Sequence, residues 1–195
     1  YEGDHQLPDI DDYDIIGKGR TYRYFEGDVL YPFGHGLSYT QFVYSDLAVT
    51  VKDGADMHIT LQVKNAGART GDEVVQIYGK APASRVKKPL RQLLGFTRIK
   101  ELAPGESRRV ELTIPIEEFR FYDVISRQLM VERGCYTVFT GPSGGEAVLT
   151  AQVELPGQET GIRCLRHRTA ADHYDTYENI MLTEGHFGFK AVTVS

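Results

Sequence analysis

Met57-His58-Ile59-Thr60-Leu61-Gln62-Val63-Lys64 alternates apolar and polar residues without a break. Side chains of an extended strand point to opposite faces in turn, so Met57, Ile59, Leu61 and Val63 share one face and the polar residues the other. One face is therefore buried and the other wet, as in an antiparallel sheet with a single core side. Immediately after, Asn65-Ala66-Gly67 and Thr70-Gly71-Asp72 supply turn residues, and the chain re-enters an apolar run at Glu73-Val74-Val75-Gln76-Ile77-Tyr78.

The same grammar extends in both directions. Upstream, Phe42 and Tyr44 and then Leu47, Val49 and Val51 form a strand whose phase slips at Ser45-Asp46, which predicts a bulge. Downstream, a short apolar strand runs from Gln92 to Ile99, beyond the stop at Pro89. Pro104-Gly105-Glu106-Ser107 reads as a turn, because proline fixes φ and glycine accepts a positive one. Val110, Leu112 and Ile114 alternate behind it, Ile116 to Tyr122 has room for one helical turn, and strands follow at Gln128 to Val131, Tyr136 to Thr140 and Ala147 to Val153. Seven or eight short strands with turns between them and no amphipathic helix predict a mainly β protein: an immunoglobulin-like or fibronectin type III-like antiparallel β-sandwich with an irregular N-terminal extension.

Composition narrows the function classes. The chain has 195 residues, 41% apolar and 25% charged, enough for one core without staples. A net charge of −5 argues against nucleic acid as the main partner. No apolar run is long enough for a membrane helix, and the acidic, polar first residues carry no signal-peptide pattern, which leaves cytoplasmic and secreted locations equally open. The two cysteines sit in dissimilar contexts: Cys135 in the apolar strand Gly134 to Phe139, read as a buried small residue, and Cys164 in a basic polar stretch, read as an unrelated exposed thiol.

Residues 1–40 follow no strand or helix period, yet Tyr31-Pro32-Phe33-Gly34-His35-Gly36-Leu37-Ser38-Tyr39 sets four ring side chains and two glycines in nine residues. Flexible linkers are polar; rings and glycines suit a plug between two packed bodies. With Tyr22, Tyr24 and Phe25 close by, the cluster reads as domain–domain packing. Each ring buried there contributes on the order of 1.5–3 kcal/mol. The interface residues expected are Tyr24, Tyr31, Phe33, His35 and Tyr39, His35 as a hydrogen-bonded interface residue in preference to a sugar contact.

The junction resembles the signature that joins the second catalytic domain of glycoside hydrolase family 3 enzymes, the β-glucosidase and β-xylosidase group, to a C-terminal fibronectin type III-like domain. The resemblance continues in order through Val63 to Gly67, Gly71 to Tyr78, Pro89 to Phe96, Leu102 to Ser107 and Gly134 to Val138. Upstream, Leu7 to Asp14 and Gly19 to Phe25 are similar to the end of the family's α/β sandwich domain, with wording closest to the β-xylosidase-like branch. Pattern and composition divide the chain into three zones, which the resemblance identifies as the end of that preceding domain and the junction over 1–40 and the fibronectin-like sandwich over 41–155, with 156–195 a linker and an extension of unknown fold outside the resemblance. The resemblance implies a parent that hydrolyses terminal β-linked glucose or xylose without a metal or organic cofactor. The partners implied are the upstream catalytic domains of the same chain, the glycoside substrate through those domains alone, and a second copy in a homodimer.

Family members place the nucleophilic aspartate in a barrel, commonly within Ser-Asp-Trp, and this chain has neither tryptophan nor room for a barrel. The resemblance thus implies no catalytic residue here and a chain inactive alone. Glycoside hydrolysis requires two carboxyl groups flanking the bond. The local candidates, Asp9-Asp11-Asp12-Asp14, Asp72-Glu73 and Glu117-Glu118, read instead as solvated charge at turns and strand edges. His167, His173 and His186 with Asp172, Asp175 and Glu184 match no metal-ligand spacing and read as a polar tail. Arg85, Lys87, Lys88 and Arg91 form a basic loop at one end of the sandwich, with Arg85, Lys87 and Lys88 as the substrate-entrance candidates. The competing class is an independent carbohydrate-binding or protein-interaction module, for which a ring-rich plug has little use.

Overall fold

The computed structural model describes residues 9, 11–84, 86–123 and 126–158. Nine strands follow a short helix α1 (Thr21–Tyr24): β1 (Phe42–Lys52), β2 (Asp56–Asn65), β3 (Gly71–Lys80), β4 (Gln92–Leu102), β5 (Ser107–Pro115), β6 (Phe121–Asp123), β7 (Gln128–Met130), β8 (Gly134–Gly141) and β9 (Leu149–Leu155). They form a three-stranded sheet ordered β1-β2-β5, a four-stranded sheet ordered β4-β3-β8-β9, and the small β6-β7 hairpin. Every strand pair is antiparallel, so the chain is the β-sandwich that its alternation predicts.

The core lies between the two sheets. Met57, Ile59, Leu61 and Val63 of β2 are fully or almost fully buried and face Val75 and Ile77 of β3 and Tyr136 and Val138 of β8. The phase slip in β1 is real: its register against β2 shifts between Ser45 and Ala48, and Asp46 carries a φ of 56°. The extra residue returns Val49 and Val51 to the side that Tyr44 occupies. The Pro104-Gly105 turn also forms, with Gly105 at φ 78° and the Glu106 amide donating to the Ala103 carbonyl at 3.0 Å. Ile116–Phe119 is a single 3-10 turn, and the remainder of that segment becomes β6 instead of helix.

Cys135 corrects an expectation: it is exposed, with its thiol pushed up by partial desolvation and by Glu154. The inward phase of β8 is held by Tyr136 and Val138, which puts Cys135 on the outer face with Thr137. Cys164, the histidine-rich tail and the rest of the 156–195 zone beyond Gln158 lie outside the described residues.

Asn65 closes one end of the sandwich. It is fully buried, yet its amide is satisfied on both sides: Nδ2 donates to Leu102 O (2.8 Å) and Arg69 O (2.7 Å). Oδ1 accepts from Thr40 Oγ1 (2.6 Å) and the Gly67 amide (3.0 Å). One side chain thus ties the end of β2, its own turn, the end of β4 and Thr40, two residues before β1, as a buried polar group must if its desolvation is to be offset.

Candidate functional site

Two features of the fold position the N-terminal segment. At its start, the Leu90 amide donates to Arg23 O at 2.7 Å, and Arg23 Nη2 donates to Gln92 Oε1 at 2.9 Å. Tyr22 stacks on Phe33 with ring centroids 4.1 Å apart and planes 12° from parallel. This ring pair folds the segment back on itself and brings the Tyr31 to Tyr39 run, called the collar below, onto the outer face of β3.

There the collar is held by its backbone. Gln76 Nε2 donates to Gly34 O (3.1 Å) and Pro142 O (2.6 Å), and the Gly144 amide donates to Phe33 O (2.8 Å). The Tyr78 hydroxyl donates to Gln76 Oε1 at 2.6 Å, which fixes that amide's orientation, and burial pushes its pKa up to about 12. Arg91 Nη1 donates to Gly144 O from the other side. Gly34 has φ +79°, and a Cβ there would meet Gln76 Oε1 at 2.1 Å. Only glycine lets the collar backbone lie this close to the sheet.

The side chains of the collar point away. Leu37 and Tyr39 are each 93% exposed, and Tyr31, Leu30 and His35 are exposed as well. Of the expected interface residues, Phe33 sits on the sandwich through Tyr22, and Tyr24 is half-buried beside Lys87 and Phe121. Tyr31 and His35 meet each other, rings tilted 42° at 5.2 Å, while the His35 amide closes a turn on Pro32 O. The backbone is thus fastened to the sandwich while large side chains along it face solvent.

Between the collar and the sheet runs a groove of about 620 Å³. Its apolar wall includes Leu37, Phe42, Val74, Phe96 and Val148, and its acidic residues are Asp72, Glu73 and Glu146. Phe96 is 66% exposed, an unusual position for phenylalanine on an outer sheet face. Asp72 is engaged by Arg98 at 2.6 Å and by the Glu101 amide at 2.8 Å, and these donors hold its carboxyl below the usual range, the amide first. Glu73 departs from the solvated charge that the sequence suggests. It is 8% exposed, in phase with Val75 and Ile77, and accepts the Tyr44 hydroxyl at 2.5 Å across the sandwich. Burial pushes the Glu73 carboxyl up, with the tyrosine bond opposing, and pushes the Tyr44 hydroxyl up too.

The basic loop is divided. Lys88 turns inward, its Nζ 2.8 Å from Glu132 Oε2 and 3.4 Å from the centre of the Phe121 ring. Glu132 also accepts from Ser84 Oγ at 2.8 Å. Lys87 lines a small cleft of about 210 Å³ with Ile16, Arg23, Tyr24 and Phe121. Arg85 lies outside the described residues. Among the described residues no group of three or more histidine, cysteine, aspartate or glutamate side chains is arranged to hold a metal ion.

Residues 73–144 match the fibronectin type III-like domain family. Thermostable β-glucosidase B of Acetivibrio thermocellus is 38% identical over 140 residues, covering 69% of this chain and 18% of that protein. A xylan 1,4-β-xylosidase of Xylanibacter ruminicola is 37% identical over 144 residues, covering 73% of this chain and 16% of that protein. Among solved structures, the GH3 β-glucosidase of Bifidobacterium adolescentis superimposes with a TM-score of 0.67 at 28% identity, over 82% of this chain and 24% of that one. The chain therefore spans a minor part of the length of each relative it resembles, the part toward the C-terminus.

Proposed function

Since this chain belongs with the C-terminal, fibronectin type III-like region of glycoside hydrolase family 3 proteins, we propose that it is the supporting domain of a β-glycosidase that removes terminal β-linked glucose or xylose. Residues 1–40 complete the preceding α/β domain and the junction, 41–155 form the support, and 156–195 are a linker and an extension. The catalytic pair belongs to the neighbouring domains, and the collar is the surface by which the sandwich clamps them.

The observation that carries this reading is the contrast within the collar. Its backbone is bonded to β3 and to the turn after β8, while Leu37 and Tyr39 are 93% exposed. Rigid apolar groups left in water favour association with a second surface. In this reading Lys88 braces its loop through Glu132, and Arg85 and Lys87 are the loop residues assigned to the substrate entrance.

The test is made in the full-length polypeptide that contains this chain. Leu37→Ser with Tyr39→Ser should make hydrolysis of aryl β-glucosides and β-xylosides heat-labile at temperatures the parent tolerates. Two full contacts of this kind are worth about 3–6 kcal/mol. Unaltered thermal inactivation in the double variant, or turnover of an aryl glycoside by the 195-residue chain alone, would overturn the proposal.

A further inference from the structure

One buried carboxylate holds the basic loop at two points. Oε1 of Glu132 accepts from Ser84 Oγ at 2.8 Å, and its Oε2 lies 2.8 Å from Lys88 Nζ. The two oxygens of one rigid group therefore fix Ser84 and Lys88, the feet of the loop, at a set separation. Between them Val86 is buried, with its amide donating to Ser84 Oγ at 3.4 Å, so Lys87 stands between two neighbours that are both held. Desolvation offsets most of the attraction within a buried ion pair, which makes its effect on geometry the larger part of what it does here.

The carboxylate is itself held from two sides. From the core, the hydroxyl of the fully buried Tyr136 donates to Glu132 O at 2.7 Å. From outside, the linker after β9 lies parallel to residues 131–133. The Gln158 amide donates to Val131 O at 2.9 Å, and the Arg133 amide donates to Gln158 O at 3.1 Å. Gly157 permits this approach, since a Cβ there would collide with Val131 O and lie 2.7 Å from Arg133 N, backbone atoms that cannot swing aside. The linker thus begins as a strap across the segment that carries Glu132.

We propose that Glu132 is a positioning residue for the substrate-entrance loop, and that the strap at Gly157 and Gln158 keeps it in place, so that the setting of Lys87 depends on the linker. A loop at an entrance meets the sugars beyond the scissile bond, and its setting therefore governs long substrates and spares short ones. This rests on the entrance role given to Lys87 above and names what sets that residue.

Two variants separate positioning from stability. Gly157→Ala dislodges the strap and alters no residue of the loop. Lys88→Met combined with Glu132→Gln removes the charge pair and leaves no buried ion alone. In the full-length polypeptide each should raise KM for xylotetraose and cellotetraose about two- to fivefold, the size of one exposed charged contact. Neither should change kcat, or KM for aryl glycosides. Lys87→Ala should raise the tetrasaccharide KM likewise, and Gly157→Ala added to it should have no further effect. In the 15N-labelled 195-residue chain, Gly157→Ala should shift the amides of Ser84 and of Val86 to Lys88 while those of β2 stay in place. Unmoved loop amides, or kcat falling alike for short and long substrates, would overturn the proposal. So would an unchanged tetrasaccharide KM in Gly157→Ala where Lys87→Ala raises it. If Lys87→Ala is silent as well, the entrance role falls with it, and the clamping role is decided separately by the collar variants.

Discussion

Asn65 offers the sharpest test of how the sandwich holds the segment before it. Asn65→Ala removes four hydrogen bonds at once and leaves the Leu102 carbonyl buried with its donor gone. An orphaned buried carbonyl costs about 1–3 kcal/mol, and each of the other three bonds, whose partners reach water more easily, contributes about 0.5–1 kcal/mol. The expected loss is therefore about 2.5–6 kcal/mol, a large share of the roughly 5–15 kcal/mol that holds an ordinary domain together. Urea unfolding followed by far-UV circular dichroism and tyrosine fluorescence measures it, the chain having no tryptophan. Asn65→Asp adds a discriminating arm. It keeps the acceptor for Thr40 and Gly67 but turns an oxygen toward two carbonyls, so at neutral pH it should be at least as damaging as alanine. Unlike alanine, it should recover as the pH falls, because the protonated carboxyl regains one donor. A loss below about 1 kcal/mol for Asn65→Ala, or a tolerated aspartate at pH 7, would refute the argument that this amide closes the sandwich.

Two further outcomes follow from the buried charges. Lys88→Met strips the ammonium from Glu132 and from the Phe121 ring and should lower stability by about 3 kcal/mol in thermal denaturation, with Glu132→Gln added to it recovering the larger part. A loss no greater than that of an exposed lysine would contradict an inward-facing pair. Glu73→Gln should stabilise the free chain at pH 7. Burial raises the carboxyl above its ordinary value, so the folded state holds the proton more tightly than the unfolded state does, and the charge opposes folding above the raised pKa. The advantage of glutamine should shrink as pH falls through that raised value and reach its minimum below the ordinary carboxylate range. A glutamine variant less stable than the parent at every pH from 4 (about) to 8 would show that the charge supports the fold.

The sheets were legible because their signals are local. Alternation at Met57 to Val63, the slip at Ser45-Asp46 and the Pro104-Gly105 turn each lie within a few residues, and each formed as expected. Cys135 was misplaced because Gly134 to Phe139 looks apolar throughout. The phase shared with Thr137, opposite to Tyr136 and Val138, was the available clue. Glu73 is in phase with Val75 and Ile77, which hinted at burial, but the hydroxyl that receives it belongs to Tyr44, 29 residues upstream. Lys88 likewise meets Glu132 and Phe121 from distant strands, and a basic run in sequence gives no notice of such partners. The Asp53-Gly54 hairpin was a missed local signal: both residues have positive φ, the geometry for which that dipeptide is favoured.

The grip on the collar has a consequence for how such a protein can diverge. Gln76, oriented by Tyr78, and the Gly144 amide seize carbonyl oxygens of Phe33, Gly34 and Pro142, groups that every amino acid carries. Apart from the glycine at 34, the mount does not read the identity of what it holds. In the proposed clamp, Leu37, Tyr39 and Tyr31 can be exchanged to fit another neighbour while the fastening beneath them stays as it is, which would let one all-β scaffold serve as a common bracket for many different machines.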